Sequence, residues 1–194
     1  MTKIAVFASG SGTNFQAILD AIDNGALHAN VALLVCDKPG AAVIERAEKK
    51  NIPTFAFYPK EFPSKQAFES LILEELKQAE VQLVVLAGYM RLIGETLLSE
   101  LEGKIINLHP SMLPAFPGKD AIGQALDSGV SETGVTVHFV DRGMDTGPII
   151  EQKTVPIYES DTKEDLEQRI HKVEHELYPQ VIQKLIQSKV THNI

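Results

Sequence analysis

The amino-acid sequence predicts an α/β fold: a Rossmann-like open, mostly parallel sheet with helices on both faces, an antiparallel strand pair late in the chain and a long C-terminal helix. Three observations carry this. Short apolar runs alternate with segments of helical periodicity, one unit every roughly 20 to 30 residues, the rhythm of parallel strands joined by helical crossovers. The first apolar run ends in a glycine-rich turn, Ser9-Gly10-Ser11-Gly12-Thr13-Asn14, that leads into a helical pattern. After residue 108 the rhythm breaks, and two adjacent strand patterns separated by a short loop take over.

In order, Lys3 to Ser9 reads as a β-prone strand. Thr13 to Asp23 has helical spacing, with Phe15, Ile18, Leu19 and Ile22 on one face. Val31 to Cys36 is a continuous apolar run suited to a strand buried on both faces. Ala41 to Lys50 reads as a helix, Thr54 to Phe57 as a short strand, and Ser64 to Ala79 as an amphipathic helix with Phe68, Leu71, Ile72 and Leu76 inward. Val81 to Ala87 is a strand, Ile93 to Leu101 a helix, and Lys104 to Leu108 a strand. Pro110, Pro114 and Pro117 mark a shaped loop. Ala121 to Ser128 is a helix, and Thr133 to Val140 alternates like a half-buried strand able to pair with Ile149 to Ile157 across the loop Asp141 to Gly147. Lys163 to Gln187 is a long helix with a stripe of Leu166, Ile170, Val173, Leu177, Val181 and Leu185, opened by a capping box of Thr162 and Asp165.

Composition bounds the function. The 194 residues include 18 Lys plus Arg and 26 Asp plus Glu, a formal net charge of -8. This excess of acid argues against nucleic acid as a partner, because that partner rewards a basic face. Apolar residues at 44% and charged residues at 23% exclude a disordered or fibrous chain. One domain over residues 1–194 is the expectation, since no linker, repeat or low-complexity segment interrupts the chain. The lone Cys36 cannot form an internal disulfide. The five apolar residues Ile4 to Ala8 are too few for a signal-peptide core, and no run approaches the roughly 18 of a membrane helix. A cytoplasmic location without membrane association follows as an expectation.

Three segments carry candidate chemistry. The 9–14 turn can bring backbone N–H groups close to an anion at a helix N-terminus. A dinucleotide fingerprint would need glycine at position 15, which is Phe15, and no Gly-Lys-Ser/Thr sequence makes it a P-loop. The turn with its hydroxyls and Asn14 suits a terminal phosphate, against the bland reading of an unliganded βα turn. Asn107 and His109 lie two apart at the carboxyl end of a strand, so they share a face where parallel sheets hold ligands. An amide and an imidazole converging there could stabilise an oxyanion and move protons, rather than merely satisfying loop backbone. The 141–147 loop has two glycines and two acids, and an aspartate in it near His109 would orient the ring, unless the loop is a solvated hairpin. Arg91, beyond the Val81 to Ala87 strand, could meet an anion or form a surface ion pair. His171-Lys172-Val173-Glu174-His175 fits the H-x-x-E-H zinc pattern, but the pattern is short and lacks a third ligand downstream.

Together these residues resemble the folate-dependent phosphoribosylglycinamide formyltransferases of the formyltransferase superfamily. The resemblance rests on SGSGTN, LAGYMRLI, INLHPSMLPAFPG, GVTVHFVDRGMDTGPII and RIHKVEHELYP in the family's order, over about residues 3 to 187. It implies formyl transfer from 10-formyltetrahydrofolate, as co-substrate, to the amine of a ribonucleotide in purine synthesis, with no metal and with small-molecule partners only. It implies a catalytic trio of Asn107, His109 and Asp145. It implies nucleotide contacts at Gly12, Thr13, Asn14, His171, Lys172, Val173 and Glu174, which gives the H-x-x-E-H segment a role without metal. Folate contacts are implied at Lys65, Met90, Arg91, Leu92, Ile93, Asn107, Asp141, Arg142, Gly143, Met144 and Asp145. Residues 1–108 would form the phosphate-binding half, and 109–194 would supply the folate loop and terminal helix. Departures are Ser11 and Thr13 in the turn, Lys65 where some members carry arginine, and Asp120 where some carry histidine; Asp120 gets no role. The related methionyl-tRNA formyltransferases and formyltetrahydrofolate hydrolases carry extra domains, so the length fits a catalytic domain standing alone. Oligomeric state is left open.

Overall fold

The computed structural model describes residues 1–188. In chain order the elements are β1 (Thr2–Ala8), α1 (Thr13–Asp23), β2 (Ala29–Cys36), α2 (Ala42–Glu48), β3 (Thr54–Ala56), α3 (Lys65–Gln78), β4 (Leu83–Leu86), α4 (Glu95–Leu98), β5 (Ile105–His109), α5 (Ala121–Ser128), β6 (Glu132–Phe139), β7 (Ile149–Pro156) and α6 (Lys163–Gln187). The sheet order is β3-β2-β1-β4-β5-β6-β7. The first five strands run parallel, β6 runs antiparallel to β5, and β7 antiparallel to β6. The chain winds from β1 outward to β3, then returns to β4 on the other side of β1. The carboxyl ends of β1 and β4 therefore border the switch point where open sheets hold ligands.

Alternate side chains of the central strands feed two cores. Ile4, Val6 and Ala8 point into one, with Phe15 and Ile18 of α1, Val43 and Ala47 of α2 and the apolar stripe of α6. Ala5 and Phe7 point into the other, with Phe68, Ile72 and Leu76 of α3 and Leu97 and Leu98 of α4. A strand buried on both faces needs an unbroken apolar run, which is what β1, β2 and β4 have. Tyr178 of α6 is fully buried, and its hydroxyl donates to the Leu86 carbonyl at 2.7 Å and lies 3.3 Å from that of Ile106, which fixes α6 across β4 and β5. The Thr162–Asp165 capping box forms as expected.

Two local expectations are corrected. The helix expected over Ile93 to Leu101 shrinks to the single turn Glu95–Leu98, and residues 90–94 run as an irregular strap. The cause is tertiary: buried Glu69 of α3 accepts the Gly94 N–H at 2.8 Å and holds Gly94 extended. The inward face of α3 also differs, because Leu71 is 40% exposed while Glu69 is buried.

Candidate active site

The turn after β1 is shaped by Gly12. It has φ +74°, and a Cβ there would lie 2.6 Å from Cγ2 of Val43, so glycine lets α1 start hard against α2. No side chain caps α1 at Gly12, so the N–H groups of its first turn have no side-chain partner there. Arg46 of α2 donates to the Ser11 carbonyl at 2.8 Å and braces the turn. Asn14 donates to Glu174 of α6 at 3.2 Å, joining the two segments that the sequence linked to one ligand. Asn14 Oδ1 is buried without a partner among the described residues. Burial pushes the Glu174 carboxyl above the usual carboxylate range, opposed by the Asn14 hydrogen bond and by His171. His171 and Lys172 are exposed and Val173 is half-buried against the α6-side core. The His171 and His175 rings stack with centroids 6.4 Å apart, and burial, then His171, pushes His175 toward its neutral form. Glu174 is bonded to Asn14, and no three His, Cys, Asp or Glu among the described residues are grouped to hold a metal ion.

A cavity of about 810 Å³ opens beside the carboxyl ends of β4 and β5. Asn107 and His109 line it from β5, Met90 to Ile93 form one wall, and Gly143, Met144 and Asp145 another. Exposed Met90, Leu92 and Met144 give those walls apolar surface, as small-molecule pockets commonly have. Asp145 reaches the trio from the 141–147 loop. It sits at φ +56°, a region that Asp adopts more readily than most residues. Gly147 closes this loop, since a Cβ there would lie 1.7 Å from the Phe139 carbonyl oxygen. The Asp145 carboxylate accepts the Gly118 N–H at 2.8 Å and faces His109 Nδ1 at 3.5 Å. His109 Nε2 lies 2.9 Å from the Phe116 carbonyl, an obligatory acceptor, so Nε2 carries a proton.

Several sequence-derived contacts sit elsewhere. Lys65, Asp141 and Arg142 do not line the cavity. Arg142 forms a bidentate pair with Glu95 at 2.6 and 2.9 Å, joining the 141–147 loop to the end of the 90–94 strap. Asp141 accepts from Gly143 and Thr146 and so shapes its own loop. Lys65 lies beside Gly94 at the start of α3. Arg91 places its Nε on buried Asp37 at 2.8 Å, so the side chain that lines the cavity is also an ion-pair partner. Asp120 caps α5 and pairs with Lys163 at 2.8 Å.

Sequence reasoning missed His138. It lies opposite Asn107 in the β5–β6 register, lines the cavity and places its buried Nε2 3.8 Å from Asp145. The alternation of β6 puts His138 on one definite face, but only the strand pairing puts that face beside Asn107.

Residues 2–182 match the formyl transferase family. The chain belongs to that family. It is 61% identical over 186 residues to the phosphoribosylglycinamide formyltransferase of Bacillus subtilis (strain 168), covering 96% of this chain and 95% of that one. It is 42% identical to the trifunctional purine biosynthetic protein adenosine-3 of Drosophila melanogaster, across 95% of this formyl transferase but 14% of that longer protein. The crystal structure of glycinamide ribonucleotide transformylase 1 from Geobacillus kaustophilus superimposes with a TM-score of 0.93 at 68% identity, covering 95% of this chain and 98% of that one. That of phosphoribosylglycinamide formyltransferase from Bacillus halodurans gives 0.93 at 54% identity, covering 95% of each chain. The seven-strand sheet and long terminal helix of this formyl transferase are thus the fold of those enzymes.

Proposed function

We propose that this formyl transferase moves the formyl group of 10-formyltetrahydrofolate onto the primary amine of 5-phosphoribosylglycinamide, giving formylglycinamide ribonucleotide and tetrahydrofolate in purine biosynthesis. One observation carries the reading: Asn107, His109 and Asp145 converge in a cavity with apolar walls, on the sheet edge that also holds the Gly12 turn. Gly12, Thr13 and Asn14 hold the nucleotide phosphate at the N-terminus of α1, and Glu174 with the exposed His171–Lys172 edge of α6 takes the ribose end. Met90 to Ile93 with Gly143, Met144 and Asp145 hold the folate, and Asp141 and Arg142 shape the loop that presents them. The 1–108 half thus supplies the phosphate site and the folate wall, and 109–188 supply the loop and helix that complete both.

The amine nitrogen attacks the formyl carbon, a C–N bond forms, and the carbonyl electrons move onto oxygen. Asn107's amide donates to that oxyanion. His109 Nε2 holds its proton against the neutral Phe116 carbonyl, and an oxyanion competes better for it because charged acceptors make stronger hydrogen bonds. Asp145 anchors the other side of the ring and relays the proton that the amine loses to the folate nitrogen, whose bond to the formyl carbon breaks. One oxyanion donor is worth about 3 to 4 kcal/mol of barrier in other enzymes. Asn107→Ala, His109→Ala and Asp145→Ala should each cut turnover at least tenfold with the fold intact by circular dichroism. The assay follows folate product by absorbance with both substrates present. Normal turnover in His109→Ala, or equal folate release without the amine, overturns the reading.

A further inference from the structure

We infer that Asp37 is a positioning residue for the 90–94 strap, an inference that rests on that strap being the folate wall. Asp37 follows β2, is 3% exposed and does not itself line the cavity. Its Oδ1 accepts the Ser9 hydroxyl at 2.5 Å and its Oδ2 accepts Arg91 Nε at 2.8 Å. Ser9 Oγ accepts the Met90 N–H at 2.9 Å. A hydroxyl has one proton, and spending it on the carboxylate turns the oxygen lone pairs toward Met90. Asp37 thereby decides what Ser9 can accept.

The result is a closed ring through Asp37, Ser9, Met90 and Arg91. It grips two consecutive strap residues, one by its backbone and the other by its side chain. It also ties together the carboxyl ends of three parallel strands, since Ser9 follows β1, Asp37 follows β2 and Met90 follows β4. Ser9 N–H adds a bond to the Gly88 carbonyl at 3.1 Å. The far end of the strap is fixed by Glu69 on the Gly94 N–H and by Ile93 in the α3-side core. Residues 90–94 make no helix or strand of their own, so these anchors set their shape and the direction of the backbone groups offered to a ligand. The buried carboxylate also fixes Nε of Arg91, and so the direction of its side chain along the cavity wall. The phosphate turn beyond Ser9 has separate supports, Val43 against Gly12 and Arg46 on Ser11, so the ring's effect falls on the folate side.

Asp37→Ala, Asp37→Asn and Ser9→Ala in the full chain, with steady-state kinetics for both substrates, test this. Asp37→Ala should raise the KM for 10-formyltetrahydrofolate at least tenfold, with kcat and the nucleotide KM within threefold. Asp37→Asn, which keeps one acceptor, should recover part of that loss. Ser9→Ala should raise the folate KM at least threefold, and combined with Asp37→Ala should add little more, because both break one ring. A folate KM unchanged in Ser9→Ala and in folded Asp37→Ala overturns the inference, as does an equal rise in both KM values. Should Asp37→Ala fail to fold, Ser9→Ala and Asp37→Asn with wild-type folate KM overturn it by themselves. Wild-type protein that transfers no formyl group from the folate overturns the underlying reading instead.

Discussion

An alanine at position 12 should separate the start of α1 from α2. At φ +74° a residue with a Cβ pays about 1–2 kcal/mol for the left-handed conformation. The added methyl would also lie 2.6 Å from Val43 Cγ2, 2.8 Å from its Cβ and 3.0 Å from its Cα. Val43 is fully buried and one of the contacts is backbone, so it has no flexible end to swing aside. Overpacking of this kind costs about 1–3 kcal/mol. The two effects together cost about 2–5 kcal/mol, which for a chain of this size lowers Tm by roughly 4–20 °C. Gly25→Ala is the matched control: its φ is +82° and a Cβ there meets nothing within 4 Å, so it carries the conformational cost alone. Because the same clash shifts the 9–14 turn, the proposed phosphate site, Gly12→Ala should also raise the nucleotide KM at least tenfold and leave the folate KM within twofold. Thermal melts and steady-state kinetics measure both. A Gly12→Ala protein that melts with Gly25→Ala and keeps the wild-type nucleotide KM would refute the reasoning.

Two further outcomes are expected. Burial raises the Glu174 carboxyl above its ordinary value near 4.5, so its favourable contribution is complete below that pH and is lost as pH rises through the raised folded value. Glu174→Gln should therefore gain stability relative to wild type as pH climbs from 4 toward 8, while its kcat/KM for the nucleotide falls; a Tm difference independent of pH would contradict this. Tyr178→Phe removes the hydroxyl donated to the Leu86 carbonyl and should cost about 1–2 kcal/mol in denaturant unfolding. An unchanged midpoint would show that this bond does not hold α6 on the sheet.

Much of the fold was legible because parallel strands and amphipathic helices write their burial into the chain. The apolar runs at β1, β2 and β4 form strands as expected, and the α6 stripe and its capping box appear as expected. The 93–101 segment misled because its apolar residues have helical spacing, while Glu69, distant in sequence, holds Gly94 extended. Leu71 misled for a related reason: α3 turns a carboxylate inward to reach that same amide, and the leucine is left at the surface.

The candidate site divides the same way. Asn107 and His109 share a face because side chains alternate along any strand, and the 9–14 turn announces itself by its glycines. The loop's composition leaves Asp141 and Asp145 equivalent and only the family resemblance singles out Asp145, which the fold puts 3.5 Å from His109 Nδ1. His138 and Asp37 left no such trace. Their positions depend on pairing between β5 and β6 and on three strand ends meeting at the switch point, and those are long-range choices.

The sequence by itself determined the layered α/β architecture, the glycine-rich 9–14 turn and the Asn–His pair, because each depends on local periodicity or on residues one or two positions apart. Only the tertiary structure decided which partners the polar side chains meet. It sets Arg91 Nε on Asp37, Arg142 on Glu95 and His109 Nε2 on the Phe116 carbonyl, through hydrogen bonds between residues from 7 to 54 positions apart. Hydrogen bonds act over about 3 Å, and only folding brings such residues that close.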